Sequence, residues 1–197
     1  MADSTTQTIQ TPRQGETADS CVMVIFGAAG DLTKRKLIPA LYNLAVGGLL
    51  SREFAIVGVG RDDFSTESYR AEIGAHAKEF ATGTLDKDLW EWMERRLYYV
   101  QGEFGDAATY QRLDETIKVA ANDHGAHGNC LFYLATPPPF FSQIVQNLGE
   151  SGLAKENDAW RRVIIEKPFG RDLESAKTLN CDIRKSLKET QIYRIDH

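Results

Sequence analysis

Residues 21–37 read CVMVIFGAAGDLTKRKL, a short apolar run followed by a glycine turn and a basic segment with helical spacing. Within it, Val22–Phe26 has no polar alternate, which is typical of a parallel strand buried on both faces. Gly27 and Gly30 then bracket a tight turn. Because a strand, a glycine turn and a helix in this order open a doubly wound sheet, this stretch predicts that fold.

The alternation of strands and helices continues along the chain. Short apolar runs predict further strands at Ala55–Val59, Leu97–Val100, Leu131–Ala135, Val163–Ile165 and Ile192–Ile195. Apolar residues at helical spacing predict helices between them: Leu37, Leu41 and Leu44, ended by Gly47-Gly48; Leu113, Ile117 and Ala120; Ile144, Val145 and Leu148; and Leu173, Ala176 and Leu187. We therefore expect an α/β protein with a doubly wound, mostly parallel, Rossmann-like sheet and helices on both faces.

The composition is that of a globular protein. The 197 residues include 23 Lys and Arg against 28 Asp and Glu, a formal charge of −5, with 42% hydrophobic and 26% charged residues. An acidic balance argues against nucleic acid or an anionic membrane as a partner. No apolar run approaches the roughly 20 residues that span a bilayer. We therefore expect neither nucleic acid nor a membrane as the main partner.

The cysteine and histidine residues are not spaced in the sequence as the ligands of a metal site would be. Cys21, Cys130 and Cys181 are odd in number and widely spaced, which predicts reduced thiols and a cytoplasmic location. His124 and His127 lie three residues apart, but no carboxylate or Cys cluster accompanies them. We interpret their segment as a solvated loop, so no metal site is predicted.

The chain divides into two parts. Residues 1–20 are rich in Ser, Thr, Gln and Asp, which predicts a disordered tail. We expect residues 21–197 to form the NADP-binding Rossmann-like domain. The chain stops directly after its last predicted strand, so we expect it to be a fragment of a longer protein.

The glycine turn is the predicted site for a dinucleotide. Glycine lets the backbone approach a pyrophosphate, and the following helix offers free N–H groups at its N-terminus. The spacing is G-x-x-G, which meets only half of the G-x-G-x-x-G fingerprint, so a purely structural turn is an equal alternative. Lys34, Arg35 and Lys36 follow, and a solvated helix face is the favoured interpretation of most of them.

Charged residues follow three of the predicted strands. Arg61 comes directly after the second strand, where an arginine can bind a 2′-phosphate and so favours NADP, although a surface arginine is the alternative. Glu166-Lys167-Pro168 ends the fifth strand and Asp196-His197 ends the sixth. Carboxyl ends of strands form the ligand crevice of such sheets. Asp196 and His197 are adjacent, so they point to opposite faces and are not expected to pair.

These stretches together resemble the glucose-6-phosphate dehydrogenase family. Four motifs match in order, with the family's spacing: residues 27–34, 58–61, 166–170 and 194–197. Residues 102–113 and 131–135 are also similar to it, and the resemblance covers about residues 21–197.

The resemblance implies a coenzyme domain for oxidation of glucose 6-phosphate at C1 by NADP, which gives 6-phosphogluconolactone and opens the pentose phosphate pathway. In the family pattern Arg61 holds the 2′-phosphate, and the pyrophosphate is held by Gly27, Ala28, Ala29, Gly30, Asp31, Leu32, Thr33 and Lys34. Lys167 would contact the substrate near the nicotinamide, and a cis Lys167–Pro168 bond is implied. Asp196 would orient the catalytic base, and His197 would bind the substrate phosphate.

The sequence departs from the family pattern at its end. The family motif continues beyond His197 with residues that include a phosphate-binding lysine, and its histidine base lies further downstream. We therefore expect this chain by itself to be inactive and the longer protein to be a homo-oligomer through a C-terminal domain. Phe141 stands where some members place a cofactor-contacting Tyr, so no role is carried to it. The alternatives are another NADP-dependent sugar oxidoreductase and a stand-alone nucleotide-binding module.

Overall fold

The computed structural model describes residues 15–80, 85–126, 128–170 and 172–195. Its strands are β1 (Cys21–Phe26), β2 (Phe54–Gly60), β3 (Leu97–Gln101), β4 (Cys130–Leu134), β5 (Arg161–Glu166) and β6 (Ile192–Ile195). Each of the predicted strands is present, with its ends shifted by at most a few residues. The first two strands are buried along their whole length, as their unbroken apolar runs predict.

The strands form one sheet with the order β3-β2-β1-β4-β5-β6, and every neighbouring pair is parallel. β1 is central, and the chain order reverses beside it because β2 lies on one side and β4 on the other. Such a reversal opens a crevice at the carboxyl ends of the strands. The expected doubly wound parallel sheet is confirmed.

Helices cover both faces of the sheet. They are α1 (Ile38–Val46), α2 (Thr66–Phe80), α3 (Lys87–Glu94), α4 (Ala107–His124), α5 (Phe141–Glu150) and α6 (Leu173–Ser186), with short 3₁₀ turns at Pro138–Phe140 and Glu189–Gln191. α1, α2 and α3 pack on one face through residues such as Leu41, Ile73 and Trp90. α4, α5 and α6 pack on the other through Leu113 and Ile144, among others.

α2 and α3 are absent from the sequence-based prediction. In α2 the buried hydrophobic side chains are those of Tyr69, Ile73 and Ala77, which are spaced four apart but are few and include only one large aliphatic residue. In α3 the buried residues are Trp90 and Met93. Their stripes are narrow, so pattern alone gave little sign of them.

The predicted apolar stripes are wrong at two leucines. Leu44 and Leu173 are 41% and 70% exposed, whereas Leu187 is buried as predicted but lies just beyond α6 with an extended backbone. A π-helical turn at residues 33–37 explains Leu44, since the Ile38 N–H bonds the Thr33 carbonyl across five residues. That wider turn rotates the following helix, so that α1 buries Ile38, Leu41 and Tyr42 instead.

The N-terminal tail prediction falls mostly on residues 1–14, outside the described residues. Residues 15–20 have no helix or strand. The Ala18 N–H donates to the Leu49 carbonyl at 2.9 Å, and the Thr17 hydroxyl donates to the Gly48 carbonyl at 3.0 Å. Residues 17 and 18 are therefore fastened to the loop after α1.

Cys21, Cys130 and Cys181 are free, and burial raises the pKa of the Cys21 thiol to about 12. Within the described ranges, none of the helices combines the length and the apolar character needed to cross a bilayer.

Candidate functional site

The turn after β1 is built around Gly27. Its φ of +85° lies in the region that favours glycine, and its N–H donates to the Val59 carbonyl at 2.9 Å. A Cβ on this residue would lie 2.3 Å from the Ala135 carbonyl oxygen and 3.2 Å from Cγ2 of Thr136. The chain therefore passes from β1 directly against the end of β4, and only glycine fits there.

Hydrogen bonds within the turn keep it tight. The Gly30 N–H donates to the Gly27 carbonyl at 3.0 Å, and the Lys34 N–H donates to the Gly30 carbonyl at 3.1 Å. Ala28 is fully buried, and its carbonyl accepts from the Tyr69 hydroxyl at 3.3 Å. Ala29, the next residue of the turn, is half-buried. The turn is thus held from β2 and α2 as well as from its own helix.

The helix N-terminus follows at once. Asp31 and Leu32 are already helical, and Asp31 is exposed with its carboxylate 3.7 Å from Arg35. Thr33 is fully buried, and its hydroxyl donates to the Gly27 carbonyl at 3.1 Å. The first N–H groups of a helix have no intrahelical acceptor. The N–H groups of residues 31–33 are therefore donors at the positive end of the helix dipole.

Lys34 faces α2. Its Nζ lies 2.5 Å from Oε1 of Glu72, and the same oxygen is 3.2 Å from Nε2 of His76. The hydrogen bond from Lys34 is the main cause that holds the pKa of Glu72 below its ordinary value. Arg35 and Lys36 are exposed, which agrees with their interpretation as a solvated face. The ammonium of Lys34 thus already has a carboxylate partner beside the turn.

Arg61 lies at the carboxyl end of β2. It is exposed and lines a cavity of about 540 Å³ between the ends of β2 and β3. The same cavity is lined by Arg112, whose Nη2 donates to the Gln101 carbonyl at 2.9 Å. No sequence signal singled out Arg112, because its place beside Arg61 depends on how α4 crosses the end of β3. Two arginines and two acidic residues, Glu103 and Asp106, therefore share this cavity.

Thr136 lies where β4 ends, across the crevice from the glycine turn. Its Oγ1 is buried and has no hydrogen-bond partner within the described part of the chain. The 3₁₀ turn at Pro138–Phe140 follows it and leads into α5. The sequence showed only a proline-rich loop here, so the unpaired hydroxyl is a finding of the structure.

The end of β5 carries Glu166 and Lys167. The Tyr133 hydroxyl, from β4, donates to Oε1 of Glu166. Lys167 is exposed, and its N–H donates to the Ile195 carbonyl at 3.3 Å. The Lys167–Pro168 bond is cis, as expected. Tyr133 was not singled out from the sequence, since it reads there as an ordinary strand residue.

Asp196, His197 and His127 lie outside the described residues. Over the ranges that are described, no group of three or more His, Cys, Asp or Glu side chains is placed to hold a metal ion.

The crevice fits a dinucleotide. The glycine turn lies at the carboxyl edge of the sheet, and a buried hydroxyl at Thr136 lacks a partner in the described chain. The first N–H groups of the helix and the guanidinium of Arg61 lie at the same carboxyl edge. This donor set suits phosphate groups, because backbone N–H groups and arginine both bind phosphate oxygens.

Comparison with known proteins gives one consistent result. The family model described as glucose-6-phosphate dehydrogenase, NAD binding domain, matches residues 24–197. Glucose-6-phosphate 1-dehydrogenase of Chlamydia pneumoniae is 43% identical over 201 residues, which cover 100% of this chain and 39% of that protein. The enzyme of Bacillus subtilis is 40% identical over 176 residues, covering 89% of this chain and 35% of that protein.

Solved structures agree with the sequence relatives. A glucose-6-phosphate dehydrogenase in complex with its substrate glucose-6-phosphate superimposes with a TM-score of 0.80 and 31% identity, over 93% of this chain and 37% of that one. Glucose-6-phosphate 1-dehydrogenase from Mycobacterium avium gives a TM-score of 0.77 and 36% identity, over 90% and 36%. The chain thus spans well under half the length of the proteins it matches.

Proposed function

The chain belongs to the glucose-6-phosphate dehydrogenase family, and we propose that it is the coenzyme-binding part of an enzyme that oxidises glucose 6-phosphate at C1 with NADP to 6-phosphogluconolactone. The observation that carries the proposal is the Gly27 turn, which lies at the reversal of strand order and directs helix N–H groups into the crevice. Dinucleotides bind at this place in doubly wound sheets.

The pyrophosphate binds on residues 27–34 in this proposal. Gly27 lets the turn fold against Ala135, and Gly30 closes the turn by its hydrogen bond to the Gly27 carbonyl. Ala28 and Ala29 form the floor of the turn, and Asp31, Leu32 and Thr33 donate backbone N–H groups. Lys34 adds positive charge beside the turn while it remains paired with Glu72. The helix dipole adds a favourable interaction with an anion.

Arg61 selects NADP over NAD in this proposal. Its guanidinium can form two parallel hydrogen bonds with the 2′-phosphate, which NAD lacks. Its exposed position at the end of β2 supports this role, because the adenosine ribose binds beside that strand end in related folds. Arg112 offers a second guanidinium in the same cavity, which Glu103 and Asp106 also line.

The reaction takes place at the other side of the crevice. When bound, the oxidised nicotinamide would accept a hydride from C1 of the sugar. Lys167 contacts the sugar near the nicotinamide, Asp196 orients the catalytic base, and His197 binds the substrate phosphate. The homo-oligomeric assembly and the cytoplasmic location stay predictions.

Titration of the chain with coenzymes tests the binding part of this proposal. NADP and 2′,5′-ADP should bind, and NAD should bind at least tenfold more weakly. No binding of any of the three ligands would overturn the proposal, and equal affinity for NADP and NAD would overturn the role of Arg61.

A chimera tests the reaction. This chain, joined to the remaining part of the Chlamydia pneumoniae relative, should form NADPH from glucose 6-phosphate. The relative's own enzyme serves as the positive control. A folded chimera that binds NADP but oxidises a different sugar phosphate would favour another sugar oxidoreductase.

A further inference from the structure

The carboxyl edge of the sheet contains a tyrosine–carboxylate pair that the proposed function does not use. Tyr133 lies opposite Ile164 in the β4–β5 register, and Glu166 lies two residues beyond Ile164 on the same face of the sheet. The phenol therefore reaches along the sheet to the end of the neighbouring strand. There its hydroxyl donates to Oε1 of Glu166.

The two partners differ in burial. Tyr133 is only 5% exposed and belongs to the apolar cluster under α1, α2 and α3. Burial is the main cause that raises the pKa of Tyr133, so the phenol stays protonated and acts as a donor over the physiological range. Glu166 is half-buried at the edge, where solvent or a ligand can reach it. The buried Tyr133 hydroxyl thus orients the more accessible carboxylate of Glu166.

The pair leaves one acceptor unused. Oε1 of Glu166 receives the Tyr133 hydroxyl, and within the described residues Oε2 has no hydrogen-bond partner. A carboxylate is an acceptor only, so this oxygen suits a ligand that offers N–H or O–H groups.

The position of the pair indicates which part of a ligand it faces. In the proposed function Arg61 holds the adenosine end beside β2 and the turn after β1 holds the pyrophosphate. The nicotinamide riboside then extends over β4 and β5, since strands are about 4.8 Å apart and β5 is the second strand beyond β1. This end of the coenzyme offers hydrogen-bond donors: the carboxamide NH₂ and the ribose hydroxyls.

We propose that Tyr133 is a positioning residue, which fixes the Glu166 carboxylate as an acceptor for the nicotinamide riboside end of the coenzyme. The inference rests on the proposed function, because it requires a dinucleotide in this crevice. Tyr133 does not contact the coenzyme; it acts through Glu166. Without the phenol, the carboxylate has other rotamers available and loses its fixed direction.

Two ligands separate this role from a merely structural one. The fragment 2′,5′-ADP carries the adenosine end and no nicotinamide riboside. Tyr133→Phe keeps the buried ring and removes only the hydroxyl, so it should weaken NADP about five- to tenfold and leave 2′,5′-ADP within about twofold. Isothermal titration of the chain measures both. A purely structural effect would weaken both ligands alike.

Two further variants complete the test. Glu166→Gln should reproduce the selective loss, and the double variant should be no worse than Glu166→Gln alone, because Tyr133 acts through Glu166. Tyr98→Phe is the matched control: its hydroxyl donates to Oδ2 of Asp123 at 2.9 Å, away from the crevice, so it should leave both affinities unchanged.

The 3-acetylpyridine analogue of NADP lacks the carboxamide NH₂ but keeps the ribose. If Glu166→Gln binds this analogue as tightly as the parent does, Glu166 contacts the carboxamide. If Glu166→Gln still binds it more weakly than the parent does, Glu166 contacts the ribose.

Unchanged NADP affinity in Tyr133→Phe, or an equal loss of affinity for NADP and 2′,5′-ADP, overturns the inference while the proposed function stands. If Tyr133→Phe fails to fold, Glu166→Gln decides by the same comparison. A parent chain that binds neither ligand overturns both proposals.

Discussion

Gly27 and Ala135 approach each other across the crevice so closely that a methyl group on Gly27 would lie 2.3 Å from the Ala135 carbonyl oxygen. Gly27 directly follows β1 and Ala135 directly follows β4, although 108 positions separate them in sequence. The contact brings the glycine turn against the end of β4. It also explains why the first residue of the G-x-x-G turn is glycine, since a side chain there would clash with the Ala135 carbonyl.

Substitution of that glycine should be costly. Gly27→Ala combines a left-handed backbone with a backbone clash, so we expect a loss of stability above the ~1–2 kcal/mol of the backbone term alone and NADP binding weakened more than tenfold. Urea unfolding and titration measure these. Gly48→Ala is the control, because its φ is +67° but nothing lies within 4 Å of its Cβ. It should lose about 1–2 kcal/mol and keep coenzyme affinity. Equal losses in the two variants would contradict this account.

Arg61 should determine coenzyme preference. Arg61→Ala removes charge-assisted hydrogen bonds to the 2′-phosphate, each worth roughly 1.5–3 kcal/mol, so NADP should bind about tenfold or more weakly. NAD affinity should be nearly unchanged, because NAD lacks that phosphate. Arg184→Ala, an exposed arginine near the C-terminal end of α6, should change neither affinity. A parallel loss of NAD and NADP in Arg61→Ala would refute the selective role.

The Lys34–Glu72 pair should make stability depend on pH. The pKa of Glu72 is lowered in the folded chain, mainly by the hydrogen bond from Lys34, from an ordinary value of 4.5. A lowered folded pKa means that the stabilisation is present above the unfolded pKa and is lost as pH falls through the folded pKa. Lys34→Met should therefore cost about 0.2–1 kcal/mol at pH 7.

The difference between parent and Lys34→Met should shrink as the pH falls below 4.5, which urea unfolding at several pH values measures. Lys118→Met breaks an ion pair with Asp114 on the exposed face of α4 and serves as a control for loss of a surface lysine. A difference that stays constant down to pH 3 would show that Lys34 stabilises the chain by packing alone.

Two leucines with similar sequence patterns should behave differently. Leu113 is fully buried in the core between α4 and the sheet, whereas Leu173 is 70% exposed at the start of α6. Leu113→Ala should cost about 2–5 kcal/mol, because it removes buried methyl groups and leaves a cavity. Leu173→Ala should stay within about 0.5 kcal/mol. Denaturant unfolding of the two variants checks this, and similar costs would contradict the packing described.

The sequence by itself determined the sheet. Strands such as β1 and β2 are buried on both faces, so each appears in the sequence as an unbroken apolar run. Such a run can be recognised as a strand without knowing which strands lie beside it. The glycine turn and Arg61 were found for the same reason: they follow those strands directly, and the carboxyl ends of parallel strands all reach one edge. Local order along the chain therefore predicted the candidate coenzyme site.

Only the tertiary structure decided which side chains face one another at that edge. The Lys34–Glu72 pair joins residues 38 positions apart and the Tyr133–Glu166 pair joins residues 33 apart. Leu44 is exposed because a π-helical turn before α1 rotates the helix. These relationships depend on strand order, register and helix phase, which many distant contacts determine together. A sequence pattern shows the spacing of apolar residues along the chain, but it does not show against which helix or strand they pack.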